Sequence, residues 1–330
     1  MKRITLLLVL ISFFQICQSQ TVRGTIKDSS DHSKIDFASI YINGTSVGTN
    51  SDQNGYFELD ITKYGSLPVT ISALGYYSVT LTDFSLEKPI EVYLTPKTFE
   101  LKEVVIVAKS LTKEKKANLK LFRNEFLGTS YDANNCVIEN ENDIIFSKGS
   151  SGDTLKVFAS KPIIIYNNGL GYKITYYLDK FEYYRKGKSF LYQGNAIFNE
   201  DLTSEISQNK FYEKRRKNAY LGSRSHFFAS LWANKLKSNG FTIRNSKDQI
   251  LNFEDIVIER SGFKKYLSYK GNLGIYYFPK SSNSTIELLR TIDPVFFDSS
   301  GYFDGSGVKI IGQMAQQRIG DLLPYDYRLK

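Results

Sequence analysis

Apolar and polar residues alternate with period two through much of the first hundred positions. Phe57, Leu59 and Ile61 fall on one side of a run whose other side is Tyr56, Glu58 and Asp60. Val69, Ile71 and Ala73 alternate with Thr70 and Ser72 in the same way. Successive side chains of a strand point to opposite faces, so each run predicts a strand with one buried and one exposed face. Asp52-Gln53-Asn54-Gly55 separates two such runs with residues that accept the positive φ of a tight hairpin. Gly75 before Tyr76 predicts a bend or a close backbone approach. Short strands at regular spacing, with no helical period between them, predict a β-sandwich of about seven strands over residues 20–98.

The pattern then changes. Lys109 to Asn118 is charged and lacks an apolar period, so residues 99–118 read as a linker with a terminal strand. Leu119, Phe122 and Phe126 recur at helical spacing, and Gly128 stands where a helix end favours positive φ. Strand-like runs follow at Asp143–Phe146, Leu155–Ala159, Ile163–Tyr166, Tyr172–Leu178 and Phe190–Tyr192, with a turn at Asn167-Asn168-Gly169. In the fourth run Tyr172, Ile174, Tyr176 and Leu178 share a face, opposite Lys173, Thr175 and Asp179. Phe227, Phe228, Leu231, Trp232 and Leu236 form an apolar stripe that predicts a helix over Ser225–Ser238, stopped by Asn239-Gly240. Further strands are expected at Thr242–Arg244, Leu273–Phe278 and Val308–Ile311. Residues 119–330 are therefore expected to form an α+β, β-rich domain with a few helices.

The first nineteen residues have a different logic. Lys2 and Arg3 precede an apolar run from Ile4 to Ile16, and Cys17-Gln18-Ser19 offers small residues before a cut at Ser19-Gln20. That is the pattern of a secretory signal peptide over residues 1–19. The run is short for a membrane span, which needs about 20 apolar residues. The rival reading makes Cys17 the acylated residue of a lipoprotein, although Gln15 and Ile16 are a poor approach to such a site. Removal of the signal leaves Cys136 as a lone thiol, so no internal disulfide is expected, and Cys136 reads as a small buried hydrophobe. About 310 residues remain, enough for two domains with ordinary cores.

Several segments together carry a resemblance. They are Val22-Arg23-Gly24-Thr25-Ile26, Phe37-Ala38-Ser39-Ile40-Tyr41-Ile42, the Gly44 to Phe57 stretch, Ala73-Leu74-Gly75-Tyr76 and Leu101-Lys102-Glu103-Val104-Val105-Ile106-Val107. They resemble the carboxypeptidase-D regulatory-like domain of envelope proteins in the Bacteroidota. The resemblance implies an all-β, prealbumin-like (immunoglobulin-like) sandwich that binds or scaffolds and does not itself cleave peptides. Members commonly carry Pro where this chain has Asp36, a departure at the entry to one strand. The Leu101–Val107 ending also resembles the run into a TonB-dependent receptor. A barrel of about 22 strands needs several hundred residues, and only 223 follow Val107. Tyr220-Leu221-Gly222-Ser223, His226-Phe227 and Gly240-Phe241 are similar to an extension that follows this module in the same bacteria, which implies shared architecture and no activity.

Charge divides the chain. Residues 20–98 hold 6 Lys and Arg against 9 Asp and Glu, whereas residues 99–330 hold 35 against 25. A basic second part points to an anionic partner: an acidic glycan, an acidic protein face or a lipid surface. Nucleic acid is not expected of an exported chain. Lys210, Lys214, Arg215, Arg216 and Lys217 form a dense basic run that is either an anion contact or a solvated helix or loop face. Tyr166, Tyr172, Tyr176, Tyr177, Tyr183, Tyr184 and Tyr192 form an aromatic load that either fills a core or presents a ligand face, with Tyr176 and Tyr184 as candidate contacts.

Catalytic chemistry is poorly provided for. Only His32 and His226 are present, with no H-E-x-x-H and no G-x-S-x-G. Gly149-Ser150-Ser151-Gly152 and Gly305-Ser306-Gly307 read as turns. His226 is either a satisfied structural residue or a general base served by Asp143, Asp153 or Asp179. No catalytic, metal or cofactor site is expected. The composite expectation is an exported, non-catalytic binding or scaffold protein of the cell envelope, in the periplasm or at the outer membrane. The alternatives are an envelope hydrolase acting on peptide or glycan, and a small outer-membrane barrel, against which the helices and the terminal Leu329-Lys330 count.

Overall fold

A computed structural model describes residues 20–64, 67–82, 84, 86–97, 113–149, 152–201, 205–260, 264–289 and 294–329. The expected signal segment with Cys17, and the Leu101–Val107 strand, lie outside the described residues. The period-two runs of the first part form seven strands: β1 (Thr21–Asp28), β2 (Ser39–Ile42), β3 (Gly48–Asn50), β4 (Tyr56–Asp60), β5 (Val69–Ser72), β6 (Val79–Leu81) and β7 (Ile90–Leu94). One sheet has the order β4-β1-β7, with β1 antiparallel to β4 and parallel to β7. The other is antiparallel, in the order β3-β2-β5-β6. Val22, Ile26, Ile40, Ile42, Phe57, Leu59, Val69, Ile71, Val92 and Leu94 form the core of this sandwich.

Local chemistry explains the corners. Asp52 Oδ1 accepts from the backbone N–H of Asn54 and Tyr56, both at 2.8 Å, and Gly55 takes φ +70°. Gly24 has no Cβ because Ile90 of β7 lies directly against it. Gly75, at φ +86°, bends the chain with open space where a Cβ would stand, and its carbonyl accepts from the Lys97 N–H at 2.7 Å. At the strand entry where Asp36 departs from the family pattern, Phe37 is left-handed (φ +50°) and exposed.

The second part opens with α1 (Lys113–Phe126) and α2 (Tyr131–Asn134), followed by β8 (Cys136–Ile138), β9 (Ile144–Lys148), β10 (Thr154–Ala159), β11 (Ile163–Asn167), β12 (Tyr172–Tyr184) and β13 (Ser189–Glu200). The long β12 pairs with β13 along its length, and with β11 and then β10 along its other edge. Phe122 and Phe126 of α1 meet the inward face of β12 edge-on, at Phe181 and Tyr176. A third part holds α3 (Ile206–Tyr220), α4 (Arg224–Trp232), β14 (Phe241–Arg244), β15 (Ile250–Leu251), α5 (Phe253–Ile256), β16 (Val257–Arg260), β17 (Lys264–Leu267), β18 (Asn272–Tyr277), β19 (Ser282–Leu288), β20 (Val295–Phe297) and β21 (Val308–Gly312). Its sheets run β15-β14-β18-β19-β21 and β16-β17-β20 around a core of Phe227, Phe228, Leu231, Phe241, Ile275 and Phe297. Helix α4 stops at Trp232, short of the expected Ser238, because Asn234 turns left-handed (φ +52°). Residues 113–329 thus contain two apolar clusters, one around β12 and one around β18.

The sandwich is docked on the β12–β13 hairpin, which corrects one expectation. Thr70 and Ser72 should face solvent by alternation, yet they are 0% and 2% exposed. The hairpin covers that face: Tyr41 stacks on Tyr177 at 5.4 Å, and the Ser78 N–H donates to Asp179. Lys97 donates to the Leu178 carbonyl at 3.1 Å and sits 3.7 Å from the Asp179 carboxylate.

Residues 313–329 then form a strap that touches all three clusters. Met314 packs in the third, Ile319 in the second, and Tyr325 against the first. The turn after β2 lies between strap and hairpin. Gly44 N–H donates to the Ala196 carbonyl (2.9 Å), while its own carbonyl accepts from Tyr325 N–H (2.8 Å).

Candidate functional site

Helix α3 is polar, and its burial follows from two side chains one turn apart. Tyr212 and Arg216, at i and i+4, face inward, while Lys210, Glu213, Lys214 and Lys217 share an exposed face. Arg216 is only 5% exposed. Its Nε donates to the Leu170 carbonyl (2.7 Å), its Nη2 to the Gly171 carbonyl (2.8 Å), and its Nη1 meets Glu200 at 2.5 Å. The guanidinium also lies 3.9 Å from the centre of the Tyr172 ring. Gly171, at φ +66°, leaves room for the Tyr212 ring against the same turn. A planar five-donor group satisfies this set of two carbonyls, a carboxylate and a ring, which an ammonium cannot match.

Between the outer face of α3 and the end of the strap lies a cleft of about 870 Å³. One wall carries Lys210, Glu213, Lys214 and Lys217. The other carries Asp326, Tyr327, Arg328 and Leu329 of the strap, and Ser46 of the sandwich contributes to the rim. The floor is the Tyr172, Phe198, Arg216 and Glu200 group. Arg328 Nη1 donates to the carbonyls of Tyr325 and Tyr327, which holds its guanidinium against the strap. Burial raises the Asp326 carboxyl above its ordinary value, partly countered by its own backbone N–H, the Arg328 charge and a bond from Tyr64. Tyr327 leans on Tyr220 at 5.4 Å between ring centres. Besides the Arg216–Glu200 pair, the walls carry the cations Lys210, Lys214, Lys217 and Arg328 and the carboxylates Glu213 and Asp326.

The candidate residues of the basic run therefore divide by helix face. Lys210, Lys214 and Lys217 reach the cleft as exposed charges, and Arg216 reaches it as part of the floor. Arg215 points away from it: Nε and Nη2 grip Asp132 in a two-point pair, each bond 2.9 Å, and the guanidinium covers Tyr131. Tyr176 is corrected from a surface contact to a core residue. It belongs to the inward face of β12, edge-on to Phe126 at 4.9 Å. Tyr184 is exposed at the far end of β12, where its hydroxyl donates to Glu182 at 2.6 Å. Asp326, Tyr327 and Arg328 were not identified from sequence, because they lie more than a hundred residues from α3 and no local pattern marks them.

His226 is held for structural reasons. It is 4% exposed, it packs against Tyr220, Phe241 and Tyr277, and its Nδ1 accepts the Gly222 N–H at 3.1 Å. Burial, aided by the Lys280 charge, lowers its pKa to about 4. Asp143, Asp153 and Asp179 pair with Lys161, Lys186 and Lys97 instead. Cys136 is half-buried and donates to the Asp132 carbonyl, and burial pushes its thiol up to about 12, so it stays protonated. Among the described residues, no group of three or more His, Cys, Asp and Glu side chains is arranged to hold a metal ion.

Comparison with known families accounts for the first part. Residues 22–106 match the family model of the CarboxypepD_reg-like domain. The N-terminal sandwich is a CarboxypepD_reg-like domain. The match ends before α1, so the cleft takes only its Ser46 edge from the CarboxypepD_reg-like domain, and α3 and the strap lie outside it. No curated protein matches the chain.

Proposed function

We propose that this is an exported, non-catalytic binding or scaffold protein of the cell envelope, and that the cleft between α3 and the strap is its ligand site. The observation that supports this reading most is the cleft's composition. It draws on the sandwich, α3 and the last residues of the strap, and it carries cations on both walls. Concave sites lined by a few fixed polar groups over an aromatic floor are the common form of ligand pockets. The two groups best suited to nucleophilic or base chemistry, Cys136 and His226, are both committed elsewhere, one protonated and one buried against a backbone N–H. The signal-like pattern of residues 1–19 supports export.

Retention experiments test the reading. Purified residues 20–330 are immobilised and exposed to fragments of bacterial envelope glycan and peptide, and the eluted material is weighed by mass spectrometry. Ligand recovered at its original mass supports binding. Shortened ligand would show turnover and overturn the non-catalytic assignment, and empty eluates would overturn the binding assignment.

A further inference from the structure

We infer that the cleft takes an acidic oligosaccharide, recognised through its carboxylates by Lys210, Lys214, Lys217 and Arg328, and through its hydroxyls by Glu213 and Asp326. This rests on the binding reading above and adds the chemical class of the ligand.

The charge arrangement decides the class. Lys210, Lys214 and Lys217 recur at i, i+4 and i+7, so their ammonium groups form a row roughly 10 Å long on one helix face. Arg328 of the strap lines the same cleft. A row of this kind fits a ligand with several separated negative charges better than a single small anion. Carboxylates stand among the cations, however: Glu213 lies between Lys210 and Lys214 on the helix, and Asp326 lies opposite. These would repel a polyphosphate or a phosphorylated surface, whose exposed groups are nearly all acceptors. They suit a ligand that also brings hydroxyl donors, because a carboxylate accepts O–H bonds and does so strongly when partly desolvated. Charge and hydroxyls on one compact ring describe a uronate-type sugar. The Tyr327 ring on the strap wall offers an apolar body with a polar tip beside them, a surface suited to a sugar face. A lipid leaflet is disfavoured by shape, since the cations line a concave cleft and do not form a flat basic face.

The test measures binding of short oligogalacturonates to the purified full-length mature chain by calorimetry. Two further probes are the methyl-esterified form of the same oligomers and a linear polyphosphate of similar charge. The expected result is salt-sensitive binding of the acid form and at least tenfold weaker binding of the ester and of polyphosphate. Lys210→Gln, Lys214→Gln and Lys217→Gln should each weaken the acid form about two- to fivefold, as exposed charge contacts do. Asp326→Asn should weaken the sugar and strengthen polyphosphate. The lysines are exposed, so these variants should fold as the parent does, which circular dichroism checks. Equal binding of ester and acid, polyphosphate as tight as the sugar, or lysine variants without effect would each overturn the inference. Should none of the probes bind while the envelope extract still yields an intact retained ligand, the sugar assignment fails and the binding reading stands.

Discussion

Replacing Arg216 by Met tests whether the floor of the cleft is held as the geometry implies. The side chain is buried, and its three nitrogens meet the carbonyls of Leu170 and Gly171 and the carboxylate of Glu200. Methionine keeps most of the apolar stem against Tyr172 but leaves the Leu170 carbonyl without this donor, whereas the Gly171 carbonyl still accepts from the Asp201 N–H at 3.0 Å. An orphaned buried acceptor costs roughly 1–3 kcal/mol. Glu200 is half-exposed and rehydrates, so its loss adds little. Removal of the guanidinium from the Tyr172 ring forfeits about 1 kcal/mol more. The expected destabilisation is therefore about 2–4 kcal/mol, with Arg216→Lys in between because an ammonium keeps the charge but cannot fork to both carbonyls. Lys214→Gln, one turn away on the exposed face, should change stability by less than about 0.5 kcal/mol. Urea unfolding measures all three, followed by far-ultraviolet circular dichroism and by the fluorescence of Trp232, the single tryptophan. Coincidence of the two signals licenses a two-state fit. A loss below about 1 kcal/mol for Arg216→Met, or equal losses for Arg216→Met and Lys214→Gln, would refute the argument.

Three further outcomes are expected. His226 has a folded pKa of about 4 against 6.5 unfolded, so the unfolded chain binds the extra proton between those values; stability contributed by the neutral ring is complete above about pH 6.5 and is lost as pH falls toward 4. His226→Gln should flatten that acid limb in pH-dependent thermal melts, and an unchanged limb would assign it to other groups. Gly44→Ala should loosen the strap, since a Cβ there falls 2.6 Å from the Tyr325 ring at a backbone with φ +70°; faster trypsin cleavage near Arg318 and Arg328 reads this out, and parent-like cleavage would refute it. Cys136, its thiol pushed up to about 12, should react with iodoacetamide at pH 8 only when the protein is unfolded, and rapid labelling of the native protein would contradict its burial.

Strand patterns were legible where one face meets a core and the other meets water. Phe57 and Leu59 are buried while Tyr56, Glu58 and Asp60 are exposed, and Tyr172, Ile174, Tyr176 and Leu178 are the buried face of β12, all as alternation implied. Thr70 and Ser72 show the limit of that rule. They sit on the outer face of the sandwich, and only the docking of a hairpin more than a hundred residues later buries them. Arg216 shows it again. A basic run reads as solvated, and nothing local tells that one arginine of five cations turns inward to two carbonyls while its neighbour turns to Asp132. The strap was illegible for the same reason: Tyr325 and Asp326 owe their role to a glycine and a tyrosine in the first sixty-four residues.

Those long-range bonds bear on what the N-terminal domain does. Its Gly44 turn joins β13 on one side and the strap on the other, so the strap wall of the cleft is placed through the domain. A ligand spanning α3 and Arg328 would bind the docked arrangement and not a detached one. Mass action then requires that the ligand stabilise the docking of the strap, by about 2.7 kcal/mol at a hundredfold excess over its Kd. The reciprocal also holds: a change at Gly44 that frees the strap weakens the ligand although it touches none of the cationic side chains. A domain that merely tethered the rest of the chain would show neither effect. Ligand-dependent protection of the strap from trypsin, lost in Gly44→Ala, would place the domain within the binding site's architecture, whereas equal protection in both proteins would leave it a separate docking module.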